Sequence, residues 1–405
     1  MRHIARRYHV CIGLVVAIGQ TVFAFATGEP LSAGTSGRYS SCFVDSDSDG
    51  IADCYETNTG VYVSATNTGT SPTNADTDGD GLSDGDEVYG TQNGLDLPAL
   101  GASPLHKDIF LEYDWMEDSS ECLEGQHSHK PTQAMIDIVA QMFSNAPVMN
   151  PDGTQGIRLF QDVHYGPVNN PNYASNRIPD ADGRISGSIE TPNGEYQTYE
   201  TRYFPGNRHG YFHYVIFAHA YGTQNSSGEA AVGGHEMLIT LGCDYDNTNK
   251  VAFTIAHELG HNLGLLHGGD EYCNYKPNYN SIMNYQYQFY GVDTCALEDT
   301  GVADFSRGTR RFLMESNLYE PDGVCVLADN PNGPIPIDWN RNTVIDTSPY
   351  ARRLRPYSDS SCPGGSGQFA YDPQGLHDYN DWANISLPSV VRQSTTFQTC
   401  APIDM

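Results

Sequence analysis

Lysine and arginine are scarce in this chain of 405 residues: there are 21, against 50 aspartates and glutamates, for a formal net charge of −29. Between Tyr39 and His106 there is neither. So few cations cannot neutralise a phosphate backbone, which excludes nucleic-acid binding as the main task. Apolar runs are short as well. After the first 26 residues nothing approaches the roughly 20 apolar residues that a membrane span needs. No two cysteines form a CxxC pair, which argues against a thiolate metal cluster.

What stands at the start is an export signal in outline. Arg2, Arg6 and Arg7 precede the apolar "VCIGLVVAIGQTVFAF", and Ala24-Phe25-Ala26 closes it as an A-x-A cleavage site. Residues 1–26 are read as a signal peptide, and the mature protein as secreted (extracellular), off the membrane once the signal is removed. Export makes disulfides the expected state of the cysteines. Of ten, Cys11 lies in the signal, leaving an odd nine. Cys42–Cys54, bracketing an acidic loop, and Cys273–Cys295, further on, are the pairs expected from position. The remaining connectivity and the oligomeric state stay open.

The acidic residues are patterned. "DSDSDGIADCYE" begins at Asp45 and "DTDGDGLSDGDE" at Asp76. Asp45, Asp47, Asp49, Asp53 and Glu56 fall at positions 1, 3, 5, 9 and 12, as do Asp76, Asp78, Asp80, Asp84 and Glu87. Glycine stands at position 6, with Ile51 or Leu82 at 7, the spacing by which a 12-residue loop wraps oxygens around Ca²⁺. Carboxylates about 5 Å apart repel by roughly 3 kcal/mol at an effective dielectric near 20. A solvated acidic linker is the plainer alternative, but it has no reason to repeat the spacing and the glycine. "DTDGDGLSDGDEVYGT" also resembles bacterial thrombospondin type 3 repeats, in which calcium rather than a large apolar core holds the chain. A weaker version, "DWNRNTVID" from Asp338, keeps positions 1, 3, 5 and 9 but has no acid at 12. Residues 27–105 are therefore expected to form a calcium-binding, loop-rich module, with a removable propeptide left open.

From about His106 the texture changes. "KDIFLEYDW", "IRLFQDVHY", "YFHYVIFAHAY" and "HEMLITLG" read as strands, and "PTQAMIDIVAQMFSNA" as an amphipathic helix opened by proline. They lead into "HELGHNLGLLHGG", His257 to Gly269. At about 100° per residue, His257 and His261 share one helical face a turn apart. On a straight helix His267 would point elsewhere, but Gly264 permits a sharp turn that swings it back. Three neutral imidazoles with a fourth position open make a catalytic zinc site, and Glu258 beside it is placed as general base. The plainer reading, a helix with unrelated histidines, leaves both the glycine and Glu258 unexplained.

The pattern HExxHxxGxxH resembles the metzincin zinc endopeptidases, whose signature also includes a downstream Met-turn. "SIMNY", Ser281 to Tyr285, matches that turn. The resemblance implies that Met283 packs beneath the histidines and that Tyr285, as in astacin-like and serralysin-like members, reaches the metal. "HELGHNLG" looks most like reprolysins, while Gly268 stands where those carry Asp and astacins carry Glu, so the subfamily is open. The fold expected is α/β (α+β): a mixed sheet over an active-site helix, with an irregular, disulfide-bearing lower half. Residues 106–300 would be the catalytic core and 301–405 its C-terminal part or a small accessory region. The expected function is zinc-dependent hydrolysis of a protein or peptide, with Zn²⁺ and Ca²⁺ as cofactors. An extended substrate would lie along Glu236–Leu241, taken as the edge strand. The alternative is a calcium-dependent adhesion or binding protein with a structural zinc, which has no use for Glu258.

Overall fold

The computed structural model describes residues 41–122, 125–164, 174–180, 182–223, 225–295, 301–327, 330, 332–356, 362, 371–387 and 397–399. The expected signal peptide (residues 1–26), Cys11 and Cys400 lie outside them. The first two α-helices are short, α1 (Asp84–Tyr89) and α2 (Leu97–Leu100). Strand β1 (Asp108–Trp115), the hairpin of β2 (Glu117–Cys122) with β3 (Gly125–Ser128), helix α3 (Gln133–Ser144) and β4 (Arg158–Asp162) follow. Then come β5 (Arg184–Ile185), α4 (Glu195–Tyr203), β6 (Phe212–Phe217) and β7 (Ala220–Tyr221). Strands β8 (Gly228–Ala231) and β9 (Glu236–Ile239), helix α5 (Thr248–Asn262) and β10 (Phe397–Thr399) complete the α-helices and strands among the described residues.

Six strands form a mixed sheet in the order β10-β8-β9-β6-β1-β4. β1 pairs in parallel with both β4 and β6, and β6 with β9. Every residue of β1 is buried, the acids Asp108, Glu112 and Asp114 included, as in a strand covered on both faces. Alternation along the strand sends Ile109, Leu111, Tyr113 and Trp115 to one face and Phe110 to the other. The first face is covered by α3 and α5. α3 buries Met135, Ile136, Val139, Met142 and Phe143, and starts where the Thr132 side chain accepts a hydrogen bond from Met135 N. The opposite face packs Phe110, Phe212, Tyr214 and Ile216 against Tyr196 and Phe204, and also against Leu82, Leu95 and Leu97. The end of the acidic region thus lies in the same core as the sheet.

Two expectations need correction. Glu236–Ile239 is an interior strand, with β6 on one side and β8 on the other. Its apolar run fits that interior position, and the strand next to it, "GEAA", is too poor in β-formers to be noticed. Cys273 and Cys295 do not pair. The bridges among the described residues are Cys42–Cys54, as expected, with Cys122–Cys243, Cys273–Cys362 and Cys295–Cys325. Both corrected cysteines sit in one buried cluster with Leu313, Leu318 and Leu376, and each meets a partner from the later chain. That later chain also reaches α5: Trp382 packs edge-on to Phe143 and beside Phe305, and Ser386 N donates to Leu263 O. Among the described residues no helix is long and apolar enough to cross a membrane.

Candidate metal centre and active site

Helix α5 starts at Asn247, whose side chain accepts from Lys250 N, and is buried from Val251 to Asn262. It stops where the sequence expects. Leu263 caps it and Gly264 takes φ +94°, a left-handed conformation costly for residues with a Cβ. The chain then folds back, and Leu265 N donates to Gly260 O. The turn brings the His267 ring within 5.4 Å of His257 and 4.9 Å of His261, centroid to centroid. One ligand-capable atom from each of the three lies within 4.8 Å of the others.

The imidazoles are oriented from behind. His257 Nδ1 lies 2.7 Å from Ile282 O, and His261 Nδ1 2.7 Å from Leu265 O. A carbonyl can only accept, so each Nδ1 carries the proton and each Nε2 presents a bare lone pair. Those two Nε2 atoms are 3.2 Å apart. His267 Nε2 is buried and has no hydrogen-bond partner among the described residues. Burial lowers the His257 pKa to about 4, and burial with neighbouring histidines holds His261 and His267 well below the ordinary value. All three are neutral at pH 7, the form that ligates.

The Ser281–Tyr285 turn lies against this arrangement. Ile282 supplies the carbonyl that holds His257, and Met283 is fully buried. A Cβ on Gly260 would come within 2.3 Å of Met283 Sδ, so the methionine lies directly against the helix between the two histidines. The Tyr285 ring is 4.3 Å from that of His267. Asn284 ties the turn together, donating to Lys276 O and Tyr279 O. Asn262 donates to Ala231 O and Glu236 O, linking α5 to the sheet. A Cβ on Gly268 would strike Cys273 O at 2.5 Å, so no acidic side chain fits there.

Gly228 was not anticipated. It opens β8, and a Cβ there would lie 2.2 Å from Glu258 Oε1. Glu258 is fully buried, so β8 runs directly beside its carboxylate. A second group was also missed: Glu200, His209 and His235 bring ligand-capable atoms together, with His235 Nε2 2.7 Å from Glu200. These residues come from separate stretches, so no local spacing reveals them. A cavity of about 510 Å³ lies along α5 at Phe253 and is not lined by the histidines.

The two acidic repeats fold alike. In the first, Asp45 accepts from Ser48 N and Gly50 N, Asp49 from Ile51 N, and Asp53 from Ser46 N and Oγ. In the second, Asp76 accepts from Gly79 N and Gly81 N, Asp80 from Leu82 N, and Asp84 from Thr77 N and Oγ1. The position-6 glycines, Gly50 and Gly81, share φ near +97° and +95°. Buried carboxylate oxygens of Asp47, Asp49, Glu56, Asp78 and Glu87 have no donor among the described residues. Burial, with neighbouring carboxylates, raises the pKa of Asp49 to about 6, Glu56 to about 7 and Asp78 to about 8. The same causes raise Asp47, Asp80 and Glu87, and burial takes Asp84 to about 7. Asp49, Glu56 and Asp84 meet within 4.8 Å, so the two loops interlock. The weaker Asp338 loop differs: the Asn340 and Asn342 amides donate to Asp346, and Thr343 takes glycine's place at φ +72°.

No protein-family profile matches the chain. Over 148 residues it is 27% identical to a serralysin of Proteus mirabilis, a stretch covering 36% of this chain and 23% of that protein. The likeness supports a metzincin-like family and extends no further along either protein.

Proposed function

We propose that this protein is a secreted zinc endopeptidase stabilised by calcium. The observation that carries the reading is the convergence of three buried, neutral imidazoles beside a buried glutamate. This donor set fits a zinc ion: two rings are fixed through Nδ1, and His267 Nε2 is buried without a partner among the described residues. His257, His261 and His267 would hold the ion, whose charge acidifies water and polarises a carbonyl. Glu258 accepts the proton of the attacking water and delivers it to the departing amide nitrogen. Burial keeps bulk water from competing for that proton. The Tyr285 hydroxyl donates to the oxyanion as it forms, and Met283 backs the histidines. An extended peptide would run along β8, which Gly228 lets approach Glu258 closely.

Asp45, Asp47, Asp49, Asp53 and Glu56 would hold one calcium ion, and Asp76, Asp78, Asp80, Asp84 and Glu87 another. The donorless buried oxygens favour this over a solvated linker. The serralysin likeness points toward a metalloprotease. The disulfides agree with export. A structural zinc in an adhesion protein would leave Glu258 buried without purpose. Purified protein should clear casein, stop on zinc chelation, and recover when zinc is returned. Clearing that survives complete removal of zinc would refute the reading.

A further inference from the structure

Strand β8 has two edges. One pairs with β9, Gly228 opposite Ile239 through Ala230 opposite Met237. The other is covered by β10, antiparallel, with Phe397 opposite Ala231, Gln398 opposite Ala230 and Thr399 opposite Glu229. The two pairings account for both edges of β8 at Glu229 and Ala230. This covered edge is also the one that an extended substrate has to use, because β8 is the strand that touches Glu258. From Phe397 to Thr399 the chain advances along β8 toward Gly228, and so toward the Glu258 carboxylate.

From this register we infer that Phe397–Thr399 is a built-in ligand of the β8 edge, lying where substrate would lie and displaced when substrate binds. The inference rests on the endopeptidase reading. The local sequence "STTFQT" suits the role, with three threonines and one phenylalanine as β-formers and neither charge nor proline. A bare edge beside an active site would invite any extended chain, and a strand held in cis covers it. Such a segment competes with substrate for binding and leaves the chemical step alone. It raises KM by the reciprocal of the fraction of time the edge is open and leaves kcat unchanged.

Three forms test this: the full chain, a chain ending at Leu387, and a full chain carrying Phe397→Pro with Gln398→Pro. The paired prolines remove ladder donors of both registers without removing the segment. With labelled casein, both altered forms should show KM lower by about tenfold, with kcat within about twofold of the full chain. A synthetic peptide of residues 392–404 with Cys400→Ser, so that no thiol can reach zinc, is titrated in parallel. It should bind both altered forms carrying Glu258→Ala, and bind the full-length Glu258→Ala chain at least about tenfold more weakly. Unchanged KM in altered forms that fold and cleave, with no peptide binding, would overturn the proposal. If no form cleaves although zinc is bound, the endopeptidase reading fails instead. Peptide binding alone then decides the proposal: binding supports occupancy of the edge, and its absence overturns it.

Discussion

At Gly228 one missing methyl group sets how closely the sheet approaches the candidate base, because a Cβ would lie 2.2 Å from Glu258 Oε1. Gly228→Ala should therefore press on both the Glu258 carboxylate and the Leu238 carbonyl of β9, which the same Cβ would meet at 2.6 Å, while leaving the histidines in place. The expected result is kcat lower by about 100-fold with zinc content unchanged, read by steady-state assay and metal analysis. Tyr285 makes a separable test. If its hydroxyl meets the oxyanion, Tyr285→Phe lowers kcat by a larger factor than it raises KM. Wild-type kinetics would leave it a packing residue against His267. The histidines were legible because their spacing is a local helical rule broken once, by Gly264. Gly228 was not, because its partner lies 30 residues along the chain (258 − 228) and only the fold brings them together.

Among the elements, the two acidic loops were the most legible, since a 12-residue repeat writes its turn geometry into consecutive positions. Strand β8 was the least, because glycine and alanine carry no strand signal and its place comes from pairing with β9. The loops carry a pH prediction. Asp49, Glu56 and Asp84 have pKa values raised to about 6, 7 and 7, above their ordinary values near 4. The folded module then binds more protons than the unfolded chain, so its stability falls as pH rises. In calcium-free protein, resistance of residues 42–90 to proteolysis should decline from about pH 4 to about pH 7. Saturating calcium should abolish the decline at neutral pH, because the ion takes the place of the protons. Resistance at pH 7 that does not respond to calcium would count against the loops as sites.

On the scale of the molecule, the acidic region and the sheet share packing that no local pattern announces. Leu97 is fully buried among Phe110, Phe212 and Tyr214. Leu97→Ala should destabilise the protein by about 2–5 kcal/mol, measured by urea unfolding, and should lower the stability of the sheet region together with that of the acidic region. Unfolding of the module alone would mean that it is separable, as a propeptide would be. The two corrected disulfides belong to this scale too. Proximity in sequence suggested Cys273 with Cys295, but the fold brings Cys362 and Cys325 to them from the chain after residue 301.

The central claim, that His257, His261 and His267 hold zinc while Glu258 moves the proton, is tested most directly by comparing two variants with wild type. Zinc per chain and casein hydrolysis are measured on the same preparations. Glu258→Ala should keep one zinc at the histidines and lose nearly all hydrolysis, whereas His267→Ala should lose both. Full hydrolysis by Glu258→Ala, or undiminished zinc in His267→Ala, would contradict the account.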